Sequence, residues 1–170
     1  MGFLIKKSIN FQVIASQISK DIGFVGIKTK NQDYYSVYLP PTSVVRNGFN
    51  ELETVIKKNR TTFILGDFNI DMMNQANSLE SSPCERFNDF CRNMTLYPVV
   101  KNPTRVTDKT ATLIDNILTN STSLLTCGVM TADVADHLCP FAIRMRRRHP
   151  KTTNRCSNGS GKQNLRTLKN

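Results

Sequence analysis

Residues 62–71 read TFILGDFNID, and this stretch limits the possible folds more than any other. Thr62 to Leu65 suit a strand covered on both faces, and Gly66 gives the backbone freedom to turn. Asp67, Asn69 and Asp71 follow at once. A buried strand that runs into carboxylates and an amide delivers them at its carboxyl end. That rim is where α/β proteins hold ligands, because helices cover the faces of the sheet. Asp and Asn after Gly also serve as plain turn formers, so the rest of the chain has to decide between the two uses.

A chain of 170 residues fits one domain and can bury a core. No apolar run approaches the roughly 18 residues of a membrane span, which excludes an integral membrane helix. The segment GFLI is cut short by Lys6 and Lys7, too soon for a secretory signal. Lys6 also stands where a myristoylation motif needs serine or threonine. Cys84, Cys91, Cys127, Cys139 and Cys156 form no Cys-x-x-Cys pair, and with only His137 and His149 beside them they argue against a zinc site. The expected home is a reducing compartment, nuclear or cytoplasmic and not secreted, where sequons such as Asn93-Met94-Thr95 carry no sugar.

The net charge of +10 looks like a nucleic-acid signature until it is located. Nine Lys and Arg and no acid lie between Arg144 and Asn170, which leaves residues 1–143 with 14 bases against 13 acids. A nearly neutral body, 1–144, is therefore expected to precede a basic disordered tail or linker, 145–170, too polar to offset the entropy of folding. Such a tail can hold phosphate backbones without reading sequence, or it can be merely solvated.

Within the body, Phe11–Ile14, Gly23–Ile27 and Tyr34–Leu39 read as an antiparallel meander, with Lys30–Asp33 as a hairpin turn. Phe49, Leu52 and Ile56 predict a helix over 44–58, with Glu51 and Glu53 early and Lys57-Lys58 late to suit its dipole. Ser82-Pro83-Cys84-Glu85 is a capping box that opens a second helix, whose face Cys84, Phe87, Cys91 and Met94 line as core. Strand-like TLYPVV, ATLIDNILTN, TCGVMT and CPFAIRM follow, so the pattern is mixed α/β.

Two later sites repeat the pattern of Asp67. Asp115 interrupts the apolar Leu113, Ile114, Ile117 and Leu118, where a carboxylate needs a partner. Asp136-His137 stands directly before Leu138 and the apolar CPFAI. A lone Asp-His pair also serves as a turn or a surface feature. Three polar interruptions of buried strands, however, fit one shared rim.

The segments ILGDFNID, NPTRVTDKTATLIDNIL and ADHLCPF, with VYLPP ahead of them, resemble the endonuclease domain of non-LTR (LINE-type) retrotransposons. That domain belongs to the exonuclease-endonuclease-phosphatase superfamily, and the likeness runs from about Phe3 to Ile143. It implies a four-layer α/β/β/α sandwich of the deoxyribonuclease I-like type, with the site at strand ends on one edge. It also implies roles. Asp67 would orient or deprotonate the attacking water, and Asn69 would hold the water and a phosphate oxygen. His137, kept as a donor by Asp115, would bind the scissile phosphate, and Tyr38 would donate to phosphate. Asp136 would sit beside a Mg²⁺ or Mn²⁺ ion, directly or through water.

The same resemblance implies upstream strands carrying an asparagine and a metal-binding glutamate. Because Met1–Lys7 already matches the stretch after that glutamate, the chain is expected to be N-terminally truncated, with weakened metal binding, an unpaired sheet edge and exposed apolar surface. Ala135 replaces the serine usual before Asp-His. The expected function is a fragment of a retrotransposon-type metal-dependent endonuclease that nicks DNA, impaired by the absence of the N-terminal metal-binding glutamate, and neighbouring a reverse transcriptase. Two alternatives stand beside it: a non-catalytic nucleic-acid-binding remnant, and a phosphoesterase of the same superfamily acting on inositol lipids or sphingomyelin.

Overall fold

The computed structural model describes residues 1–73, 82–123, 125–131 and 136–145. A six-stranded sheet organises them. Its strands are β1 (Gln12–Ile18), β2 (Gly23–Lys28), β3 (Gln32–Tyr38), β4 (Thr61–Asp67), β5 (Tyr97–Pro98) and β8 (Asp115–Thr119). They lie in the order β1-β2-β3-β4-β8-β5. The first three form the expected antiparallel meander, and helix α1 (Val45–Val55) then carries the chain over to β4, which pairs parallel to β3. Helix α2 (Pro83–Met94) follows. Two antiparallel pairs complete the structure: β6 (Arg105–Val106) with β7 (Ala111–Thr112), and β9 (Leu125–Met130) with β10 (Cys139–Arg144).

Both helices pack on one face of the sheet. Strand alternation directs Tyr35, Val37, Ile64 and Leu118 to that side, and the Tyr35 hydroxyl donates to the Val55 carbonyl at the end of α1 (3.0 Å). Phe49 of α1 stacks on Phe90 of α2 with ring centroids 4.6 Å apart, and Phe68 meets Phe87 edge-on at 5.4 Å. Rings buried this completely contribute about 1.5–3 kcal/mol each. On the opposite face Tyr34 stacks on Phe63. There the β9–β10 pair lies over Phe63, Leu65 and Ile117, leaving a mostly apolar cleft of about 340 Å³. Three of the four expected layers are thus present among the described residues: helices, large sheet and small second sheet.

Helix α2 starts as its residues dictate. Ser82 accepts from the Glu85 N–H (3.1 Å), Pro83 takes the first helical position, and Thr95 ends the helix in a left-handed conformation. Helix α1 departs from expectation. It ends at Val55, so Lys57 and Lys58 lie beyond it and its last turn carries no base. Its start is held from outside, by the buried Asp21: one carboxylate oxygen accepts from the Val44 N–H (2.9 Å) and the other from the Asn47 amide (3.1 Å). These bonds hold the Asp21 carboxyl below its ordinary range, the Val44 N–H most of all.

Three further local expectations shift. The hairpin between β2 and β3 reverses within Thr29–Gln32, and Asp33 is a buried strand residue whose Oδ1 accepts from the Arg60 Nε at 2.8 Å. Gly66 does not make the turn. It lies inside β4 without a positive φ, and its bare Cα is required because any Cβ there would collide with the Val37 carbonyl of the neighbouring strand. The left-handed residue is Asn69, at φ 50°. The ATLIDNILTN segment is two strands rather than one, with β8 beginning at Asp115, since Leu113 and Ile114 spend their backbone bonds on Phe68 and Met72.

Among the described residues strand β1 is an open edge of the sheet, and Phe11, Val13 and Ile18 on or near it are exposed. No helix among the described residues is long and apolar enough to cross a membrane. The basic segment 146–170 and Ala135 lie outside the described residues.

Candidate active site

Strand register assembles the site. Asp67 ends β4, Asp115 begins β8 directly opposite it, and Tyr38 ends β3 beside Asp67. Residues paired in this way share a face of the sheet. The three side chains therefore stand in a row on the side that carries β9 and β10. Two carboxylates opposite each other repel, and an imidazole stands beside them. His137 Nδ1 lies 3.0 Å from Asp115 Oδ2, and ligand atoms of Asp67, Asp115 and His137 all fall within 4.8 Å of one another.

Burial raises the Asp67 carboxyl above the usual aspartate range. The Asn69 N–H, at 2.9 Å from Asp67 Oδ1, opposes that shift, the Asp115 charge adds to it, and the charges of His137 and Arg105 pull it back. Asp115 is more enclosed than His137, 14% exposed against 32%, so the imidazole is the part of the pair that solvent reaches. Asn69 sits in the loop after β4, its left-handed backbone tolerated because asparagine visits that region more easily than most residues. Its Nδ2 donates to the Leu39 carbonyl at 2.8 Å. One amide hydrogen and Oδ1 remain without partners among the described residues.

Not every expected residue joins the cluster. Asp136 supplies no ligand atom to it; its Oδ2 accepts from the Arg105 Nε at 2.7 Å, a bond that holds this carboxyl below the ordinary range. Tyr38 lies at the right register but its hydroxyl has no hydrogen bond among the described residues. Asp71 does the work of a turn. Its Oδ1 accepts from the N–H groups of Met73 (3.1 Å) and Leu113 (3.2 Å).

Two residues of the NPTR segment matter in ways sequence reasoning missed. Thr104 is fully buried; its hydroxyl accepts from the N–H groups of Ile114 (3.2 Å) and Asp115 (3.0 Å), and its carbonyl from the Leu138 N–H (2.6 Å). It thereby clamps together the segments that carry Asp115 and His137. Arg105, beside it, bonds Asp136 and forms a β-bridge with His137. Neither contact has a periodic signal, because the partners are separated by 10 to 34 residues along the chain in loops. The fully buried amide of Asn116, which accepts from the Val100 N–H and donates to its carbonyl, did leave a sign as a polar residue in an apolar run.

Two carboxylates with waters filling the remaining positions suit Mg²⁺ or Mn²⁺, which prefer oxygen ligands. The donors fit such an ion. Among the described residues no glutamate joins them: Glu51 accepts from Gln17 and Glu85 from Arg92. The cluster thus offers a group able to take a proton, a group able to donate one, and a seat for a cation.

A family model described as Endonuclease-reverse transcriptase matches residues 33–139. Among solved structures, the chain resembles the endonuclease domain of TRAS1, a telomere-specific non-LTR retrotransposon. Identity there is 16% and the TM-score 0.59, over 81% of this chain and 68% of that one. It also resembles the cytolethal distending toxin of Actinobacillus actinomycetemcomitans (13% identity, TM-score 0.53, 81% and 59% covered). A third is an endonuclease/exonuclease/phosphatase of Beutenbergia cavernae (13%, 0.50, 69% and 37%). No curated protein sequence matches it. These likenesses establish a deoxyribonuclease I-like α/β fold, of which the chain spans part of each solved structure's length.

Proposed function

Because the chain belongs to the Endonuclease-reverse transcriptase family, we propose that its Asp67–Asp115–His137 cluster hydrolyses DNA phosphodiester bonds with the help of Mg²⁺ or Mn²⁺. The observation that carries this reading is the convergence of the three side chains, from two strands and a loop, on one rim of the sheet. A phosphodiester needs an in-line water and compensation for charge growing on the phosphoryl oxygens and the leaving 3′ oxygen.

Asp67 takes or orients the water's proton, a task helped by the raised affinity for protons that burial gives its carboxyl. Asn69, free to use Oδ1 and one amide hydrogen, holds that water against a phosphate oxygen. Asp115 accepts from His137 Nδ1 and so fixes the tautomer and orientation of the ring, which leaves Nε2 to face the phosphate. Tyr38 donates its hydroxyl from the neighbouring strand. A cation held by Asp67 and Asp115 would supply the remaining charge compensation, and with no glutamate in the described cluster its affinity is low. The family's description suggests action beside a reverse transcriptase, and five cysteines without a Cys-x-x-Cys pair suit a reducing compartment, nuclear or cytoplasmic.

The test is nicking of supercoiled plasmid across a Mg²⁺ and Mn²⁺ series. The chain is expected to nick slowly and to need high metal, and Asp67→Ala and His137→Ala each to lose about 10²–10⁴-fold, the usual worth of a positioned acid or base. Nicking that persists in both variants removes this cluster as the reacting group. Salt-sensitive binding without any nicking favours a nucleic-acid binder instead.

A further inference from the structure

We propose that Arg105 is a phosphate-binding residue of this site, oriented by Asp136, and that it grips a backbone phosphate of bound DNA beside the one attacked. The inference rests on the phosphodiester reading of the cluster and names a contact that the cluster itself lacks. Asp67 and Asp115 make the rim acidic, so a polyanion needs a fixed positive group at the mouth as well as the imidazole.

Arg105 is placed to be that group. Its backbone is held on both sides, by β7 on one and by the bridge to His137 on the other, with the Val106 N–H reaching the Asp136 carbonyl. Bridge partners project to the same side of their pair, which sends Arg105 toward His137 while the preceding Thr104 turns into the core. Its charge is felt at Asp67. The Asp136 bond uses only Nε. The two terminal nitrogens have no acceptor among the described residues, and together they present the planar fork that matches a phosphate. The pair is about half exposed on each side, so DNA can reach it. As an ion pair for stability it would be worth little, since exposed pairs contribute about 0–1 kcal/mol. As an orienting contact it keeps a flexible side chain aimed.

Binding of a labelled 16-base-pair duplex, in EDTA and over a salt series, decides the matter. Arg105→Ala is expected to weaken binding and to reduce the slope of log K against log salt by about 0.9, the signature of one lost phosphate contact. Arg46→Ala, which removes the same charge from an exposed position on helix α1, should keep the wild-type slope. Arg105→Lys should keep the slope too, while nicking more slowly because an ammonium cannot bond Asp136 and a phosphate in one plane. Asp136→Ala should weaken binding and Asp136→Asn restore it, with thermal stability unchanged throughout. A wild-type slope in Arg105→Ala, an equal loss in Arg46→Ala, or no duplex binding at all overturns the assignment. A melting temperature that falls in Arg105→Ala with the slope intact marks the pair as a strut, and overturns it too. The two readings fail separately. If the chain never nicks but the slope still drops, the nuclease reading falls and the phosphate contact stands; if it nicks and the slope holds, the contact falls alone.

Discussion

Asp67 is the residue at which function and stability pull apart. Burial raises its carboxyl, and the facing Asp115 adds to the shift, so the ionised form that chemistry uses at neutral pH is the form the fold holds least well. The sign follows from linkage. A carboxyl whose folded pKa exceeds its unfolded value contributes stability that is full below about 3.8, the ordinary value, and is lost as pH rises through the folded pKa. Asp67→Asn should therefore melt higher than wild type at pH 7. Its advantage should shrink as pH falls and vanish below the ordinary aspartate range. Melting curves across pH 3.5 to about 8 check this; a variant that melts lower at neutral pH would mean that the carboxylate is better satisfied than its surroundings indicate.

At the scale of elements, what could be read ahead of the structure was whatever neighbours in sequence determine. The apolar strand around Ile64, the Ser82-Pro83 start of α2 and the stripe of Cys84, Phe87, Cys91 and Met94 each depend on residues within a few positions, and each formed as read. The cap on α1 comes from Asp21, more than twenty residues upstream, and the Thr104 clamp from ten residues before its partner. No local pattern announces such bonds. The Asp115–His137 contact was legible only through the family resemblance, since neither residue's surroundings name the other. Gly66 shows a right residue given a wrong reason: its smallness serves the approach of β3 to β4, not a turn. Gly66→Ala should then cost about 1–3 kcal/mol, as overpacking does, and should shift Tyr38 away from Asp67. Chemical denaturation gives the cost, and a loss of no more than a few tenths of a kcal/mol, the scale of a simple propensity change, would restore the turn explanation.

The whole molecule divides its charge as unevenly as its architecture. Deleting residues 146–170 removes eight Lys and Arg and no acid. DNA affinity at low salt should drop and its salt dependence flatten accordingly, while whatever nicking the chain performs should persist at saturating DNA. An unchanged salt slope in the shortened chain would make the segment a bystander. Among the described residues the large sheet carries the site on β3, β4 and β8 and ends at β1. At β1 the outer row of N–H and C=O groups meets no partner among the described residues, and Val13 and Ile18 stand in water beside it. Such a margin invites whatever strand comes along, and in a concentrated solution the nearest strand belongs to another copy. Protein concentration is therefore expected to matter as metal and salt do: crowded molecules should zip together sideways, dilute ones should keep that flank to themselves, and sedimentation over a concentration series tells the two apart.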